Sequence, residues 1–275
     1  MRVRAALPLL PLLVAASVLA AAPPASAAVQ PQVLAATGDS ITRAFDVDGS
    51  HFLKDDPAES WATGTDSRVN SVASRLAARG PVTSYNDAVT GKKMIDLDGQ
   101  LKNAAAQGAD GVTVQMGAND LCTSSASTMT PTATFRSQFD TALRDFFAAR
   151  AAAGATTPAT VAVSSIPNIY NLWSVLHTNS SARFTWSLLG ECKSMLASRN
   201  TEAQRQLVVT QEIADNQQLA DVCAAYAAQG CRWDGLAVYH TSFTAAQVST
   251  VDYFHPNVSG QAVLAGVAWS SGPWQ

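Results

Sequence analysis

Short apolar runs recur along this chain, and between them apolar positions return every third or fourth residue. The first run is residues 33–37, "VLAAT". Residues 82–86, "VTSYN", 111–116, "GVTVQM", and 160–164, "TVAVS", follow it, and 235–239, "GLAVY", form a weaker fifth. Runs of this length and composition predict strands. The spacing between them predicts helices. Residues 69–78 place Val69, Val72, Ala73 and Leu76 on one face and stop at Gly80-Pro81. Residues 94–107 follow the second run. Residues 132–153 carry Phe135, Phe139, Leu143, Phe146 and Phe147 at helical spacing. Residues 201–229 end before Gly230, and residues 258–269 begin just after His255-Pro256-Asn257.

Strands that alternate with helices of this length imply βαβ units and an α/β fold on a parallel sheet of about five strands. Ligands bind such sheets beyond the carboxyl ends of the strands. Gly38-Asp39-Ser40 follows the first run, Gly91 the second and Gly117-Ala118-Asn119-Asp120 the third. Topology alone therefore gathers these loops on one rim.

The N-terminus departs from this pattern. A basic start, Met1 to Arg4, precedes an apolar stretch to Ala22, then Pro23-Pro24 and the small-x-small triplet Ala25-Ser26-Ala27. That layout predicts a secretory signal peptide over residues 1–27, cut after Ala27 or Ala28. No later segment approaches the roughly 20 apolar residues that span a bilayer. The expectation is one exported domain over 28–275, without a stable membrane anchor and working as a monomer. The net charge is −3, and −5 once Arg2 and Arg4 are removed; with no basic stripe, nucleic acid is excluded as the main partner. Cys122, Cys192, Cys223 and Cys231 are an even set in an exported chain, which points to two disulfides. Proximity favours Cys223–Cys231, leaving Cys122–Cys192. There is no C-x-x-C, and the histidines lack zinc spacing, so neither a metal nor another cofactor is expected.

Read alone, "GDS" at 38–40 is ordinary turn chemistry. Ser40 becomes a nucleophile only if a base takes its proton. Of His51, His177, His240 and His255, the last has a carboxylate three residues before it, Asp252. At that spacing the chain can fold back so that the carboxylate orients the imidazole. The other three histidines have no such partner and read as structural or surface residues. The backbone amides of Ser40 and Gly91 and the side-chain amide of Asn119 are candidate donors to a developing oxyanion. No G-x-S-x-G elbow and no H-E-x-x-H zinc motif occurs.

With these residues placed, the chain resembles the SGNH, or GDSL, hydrolases. "GDS" at 38–40, Gly91, "GAND" at 117–120 and "DYFH" at 252–255 match the four blocks of that family in order. Ile41 stands where the name-giving motif has Leu. The resemblance implies a flavodoxin-like three-layer α/β/α sandwich and ester hydrolysis. It implies Ser40 as nucleophile, His255 as base, Asp252 as its partner, and Ser40, Gly91 and Asn119 as oxyanion hole. The exported form with "GANDLC" is similar to secreted actinobacterial lipases and esterases. The substrate expected is a lipid acyl ester, with acetylated carbohydrate as the alternative and a non-catalytic binding role on the same fold as a remote third reading.

Three further features carry expectations. The acidic loop 45–59 begins like a calcium loop, but Gly49 comes too early and Pro57 falls where glutamate is needed, so a solvated loop is expected. Trp61, Trp173, Trp186 and Phe184 are candidates for an acyl pocket, and residues 166–186 for part of its wall. Glycosylation sequons occur at Asn179 and Asn257, the second too close to His255 to carry meaning.

Overall fold

A computed structural model of the chain describes Met1 and residues 29–50 and 52–275. The expected signal peptide lies outside the described residues, as does His51. The strands are β1 (Val33–Gly38), β2 (Thr83–Asn86), β3 (Gly111–Gln115), β4 (Thr160–Val163) and β5 (Cys231–Trp233). The helices are α1 (Val72–Ala77), α2 (Leu97–Ala106), α3 (Ala118–Leu121), α4 (Thr132–Ala152), α5 (Ile169–Leu176), α6 (Ser180–Leu189), α7 (Lys193–Leu196), α8 (Glu202–Ala225) and α9 (Val258–Ser271).

The strands form one parallel sheet in the order β2-β1-β3-β4-β5. Ala35 lies opposite Tyr85 on one side and Val112 on the other, and Val161 lies opposite Val112 and Cys231. Because the central strands are covered on both faces, Leu34, Ala35, Ala36, Val112, Val114 and Val161 are all buried. α2, α4 and α8 pack side by side on one face, and α1 packs with α9. Val72 of α1 and Ala268 of α9 share a crevice with Thr113 and Ala162, the alternate residues of β3 and β4. This is the flavodoxin-like α/β arrangement. The strand order reverses between β1 and β3, so the loops after these strands part at the switch point.

Local chemistry explains where elements start. Ser71 Oγ accepts the Ser74 amide at 3.1 Å, so α1 begins at Val72 and Val69 stays outside it. Thr201 and Gln204 form a capping box at the start of α8. α8 ends at Ala225, short of 229, because the Tyr226 carbonyl accepts the amides of Gly230 and Cys231 and turns the chain into β5.

The fifth strand is a correction. Residues 235–239 are not extended; Cys231–Trp233 is the strand instead. Asp234 accounts for the difference. Its carboxylate accepts the amides of Leu236, at 2.9 Å, and Val238, at 3.1 Å, winding residues 235–239 into a turn. Leu236 is left-handed there, with φ of 69°. The same carboxylate accepts the Ser165 amide and hydroxyl, tying this turn to the end of β4. The disulfide Cys223–Cys231 joins α8 to β5, and Cys122–Cys192 joins the segment after α3 to the start of α7. Among the described residues no helix is long and apolar enough to cross a membrane.

Candidate active site

The turn after β1 depends on a glycine. Gly38 has φ of 152°, and a Cβ there would lie 2.4 Å from the Gln115 carbonyl oxygen and 2.5 Å from Thr42 Oγ1. Gln100, buried in α2, clamps this residue from below. It accepts the Gly38 amide at 2.7 Å and donates to the Gly38 carbonyl at 2.9 Å. Gln261 of α9 donates to the Ile41 carbonyl at 2.9 Å and accepts the Trp61 amide at 2.9 Å. Ser40 is thus held from both layers of helices. Asp39 accepts the Ile41 amide at 3.0 Å, and burial pushes its carboxyl up to about 6.

Ser40 Oγ lies 2.8 Å from His255 Nε2, and His255 Nδ1 lies 2.5 Å from Asp252 Oδ2. Ser40 and His255 are 215 positions apart in the sequence, and the fold closes that gap. Asp252 is fully buried. Its other oxygen accepts the amides of Phe254, at 2.8 Å, and His255, at 3.0 Å. These bonds hold a tight loop in which Tyr253 is left-handed, with φ of 57°. The Ser249 amide donates to the His255 carbonyl at 2.8 Å. Phe45 and Phe254 meet the imidazole edge-on at 5.2 and 4.9 Å. Burial by itself lowers the His255 pKa, but the charge of Asp252, its hydrogen bond, and the charges of Glu191 and Asp39 outweigh it and raise the value above 6.5.

Asn119 stands in α3, at the carboxyl end of β3. Its Nδ2 donates to the Lys92 carbonyl at 3.0 Å, which sets it against the loop holding Gly91. Gly91 is left-handed, with φ of 80°. Asp120 accepts the Met94 amide at 2.9 Å and fixes the far side of the same loop. The loops after β2 and β3 are thus tied together, and the Val89 amide, donating to the Gly38 carbonyl at 3.2 Å, ties the loop after β2 to the turn that carries Ser40. Such an arrangement can pass the serine proton to the imidazole, hold the imidazolium by a carboxylate, and present amide donors to an oxyanion.

A small apolar cleft of about 70 Å³ is lined by residues that adjoin this chain of side chains in sequence. Ile41, Ala118, Phe254 and Pro256, sequence neighbours of Ser40, Asn119 and His255, are part of its lining. Ile169, Leu172 and Val175 of α5 form one wall and Phe243 and Val248 the other. No charged residue lines it. The wall thus comes from the first half of 166–186, and the tryptophans expected there are elsewhere. Trp61 is buried, its indole donating to Thr42 Oγ1 at 3.3 Å. Trp173 lies under the Arg205 guanidinium at 3.6 Å, Trp186 donates to the Tyr253 carbonyl at 2.9 Å, and Phe184 is exposed.

The acidic loop is solvated only at its tip. Gly49, Phe52, Leu53 and Lys54 are exposed, but Asp46 is buried and accepts the Leu53 amide. Burial raises its pKa, helped by the charge of Asp252. His177 closes the end of α5, its Nδ1 3.1 Å from the Trp173 carbonyl, and His240 is exposed. Asn179 and Asn257 are helix caps, accepting the amides of Ala182 and Gly260. Gln100 and Gln261 escaped the sequence reading. Their signal was faint: each is a polar residue inside a helical apolar stripe.

The sequence pattern of the GDSL-like lipase/acylhydrolase family matches residues 36–263. The chain belongs to that family, and it is a carboxylic ester hydrolase. No curated protein gives a match to it. Among solved structures it is similar to LAE5, an alpha/beta hydrolase enzyme from the metagenome of Lake Arreo, Spain, at 17% identity and TM-score 0.54, over 89% of this chain and 96% of that one. The extracellular lipase from Streptomyces rimosus is similar at 17% identity and TM-score 0.50, over 87% and 99% of the two chains. TesA gives 16% identity and TM-score 0.50, over 87% and 97%. At these identities the likeness is one of fold.

Proposed function

We propose that the protein is an exported serine esterase whose substrates carry an apolar acyl chain, and that Ser40, His255 and Asp252 do the chemistry. The observation that carries this reading is the hydrogen-bonded chain Ser40–His255–Asp252, and an uncharged pocket lined by the adjoining residues Ile41, Phe254 and Pro256 supports the apolar acyl group. Ser40 Oγ attacks the ester carbonyl while His255 Nε2 takes its proton. The carbonyl oxygen becomes an oxyanion that the Ser40 and Gly91 amides and Asn119 Nδ2 receive. The tetrahedral species then expels the alcohol, which takes the proton from His255. Water, giving its proton to His255, attacks the acyl-serine, and the acid leaves as Ser40 regains a proton.

Asn119→Ala is expected to lower kcat by about 10²–10³-fold with KM little changed, because the amide is needed only once negative charge develops. Loss of KM alone in steady-state kinetics would remove Asn119 from the oxyanion hole.

Cleft lining favours acyl chains over sugar acetates. A panel of p-nitrophenyl esters from acetate to palmitate, with acetylated xylan and a phospholipid beside it, tests this. The expectation is a kcat/KM that rises from acetate into the medium chains. An acetate-only profile with turnover of acetylated xylan would replace the acyl-chain reading by carbohydrate deacetylation. The N-terminal pattern and the two disulfides support export, and protein recovered from the medium should begin at Ala28 or Val29.

A further inference from the structure

α6 and α7 present a surface that the reaction does not use. α6 buries Ala182 and Trp186 and turns Phe184 and Leu188 outward, each 69% exposed. These two lie four residues apart, so they form one apolar ridge on a single helix face. An apolar pair of this size is not by itself a binding surface; what distinguishes it is the charge beside it. Beside the ridge, Arg183, Lys193 and Arg199 are all exposed and line one pocket of about 300 Å³. None of the three forms a salt bridge among the described residues. α6 itself contains no acidic residue. The whole chain is acidic, with net charge −3, and this face, with three cations against the one carboxylate of Glu191, reverses that sign locally.

The surface is coupled to the site. Trp186, which lines the same pocket, donates to the carbonyl of Tyr253, between Asp252 and His255. Glu191, also in the pocket, is half-buried and its charge acts on His255. Cys192, beside it, is bridged to Cys122, three residues after Asn119. The pocket that holds these cations is therefore joined, through Trp186, to the loop that carries Asp252 and His255.

We propose that the α6–α7 face docks the enzyme on an anionic lipid–water interface, with Phe184 and Leu188 entering the acyl boundary and Arg183, Lys193 and Arg199 meeting the headgroup anions. Apolar side chains flanked by arginine and lysine are what such an interface binds. The charge argues for an anionic lipid surface over an uncharged apolar partner, since among the described residues these three cations form no salt bridge and outnumber the one carboxylate of their pocket, Glu191. The proposal goes beyond the choice of ester and does not depend on Ser40 being the nucleophile.

Sedimentation with phosphatidylglycerol vesicles and with phosphatidylcholine vesicles tests it, using the full exported chain and, in parallel, its Ser40→Ala form so that binding is read apart from hydrolysis. Binding is expected on phosphatidylglycerol, weaker on phosphatidylcholine, and falling with salt. Phe184→Ser with Leu188→Ser, and separately Arg183→Glu with Arg199→Glu, should each weaken it by about tenfold or more. Turnover of soluble p-nitrophenyl butyrate should stay within about twofold in both double variants, since surface changes away from such features have small effects. No binding to phosphatidylglycerol overturns the proposal, as does binding that both double variants retain. Equal binding to the two lipids, lost only in the Phe184/Leu188 variant, overturns the role given to the cations.

Discussion

Ser40→Ala lowers kcat by about 10⁵–10⁶-fold on p-nitrophenyl butyrate, the largest loss expected from any single change in this protein. The expectation follows from what the hydroxyl touches. Its partner is His255 Nε2 at 2.8 Å, and the rest of the turn is held without it, by Gln100 and Gln261. The variant therefore loses the covalent route and keeps its fold. Residual turnover would come from water attacking an ester that still sits in the cleft and still meets the oxyanion donors. Two measurements together make the test sharp. Thermal unfolding of the variant should match the parent, and an organophosphonate probe should add its mass to Ser40 in the parent only. Near-normal esterase activity in the folded variant would remove Ser40 from the chemistry.

Asp252→Asn is expected to cost about 10⁴-fold in kcat. An asparagine oxygen can still accept the amides of Phe254 and His255, so the loop keeps its shape. Its NH₂ would donate to His255 Nδ1, leaving the proton on Nε2, where the imidazole can no longer accept from Ser40. The change also moves the pH profile. The base must be neutral to act, so kcat/KM of the parent rises with pH through the His255 pKa, which Asp252, Glu191 and Asp39 hold above 6.5. Without the Asp252 charge, burial becomes the dominant influence, and burial lowers a histidine pKa. The acid limb of the residual activity should therefore shift toward lower pH. Profiles of kcat/KM across the neutral range, for parent and variant, check this. An acid limb in the same place for both would mean that Asp252 does not govern the protonation of His255.

The route from sequence to site was unusually direct in some places and closed in others. Asp252 and His255 were readable as a pair because a carboxylate three residues before an imidazole is a local relation, and local relations survive in one dimension. The turn at Gly38 and the alternation of apolar runs with helical segments are local in the same sense, and from them the parallel sheet and its shared rim followed. The tryptophans misled because an aromatic residue reads the same in a core as in a pocket. Trp61 faces Thr42 and Trp173 faces Arg205, partners that only the folded chain supplies. The segment 235–239 misled because its apolar alternation is intact, while Asp234 captures two of its amides together with the amide and hydroxyl of Ser165, 69 positions away.

By itself, then, the sequence determined the class of fold, the rim on which its polar loops gather, and the residue types available there. Tertiary structure decided the rest: that Cys231–Trp233 completes the sheet, that Asp46 of an acidic loop is buried beside Asp252, that α5 and the segment around Phe243 enclose an uncharged cleft, and that Gln100 and Gln261 brace the turn at Ser40. The physical reason is one of range. Helical spacing, turns and an i, i+3 pair are set by neighbours in the chain. Burial, electrostatic shifts and cleft walls are set by neighbours in space, and those exist only once the sheet has drawn residues 40, 119 and 255 together.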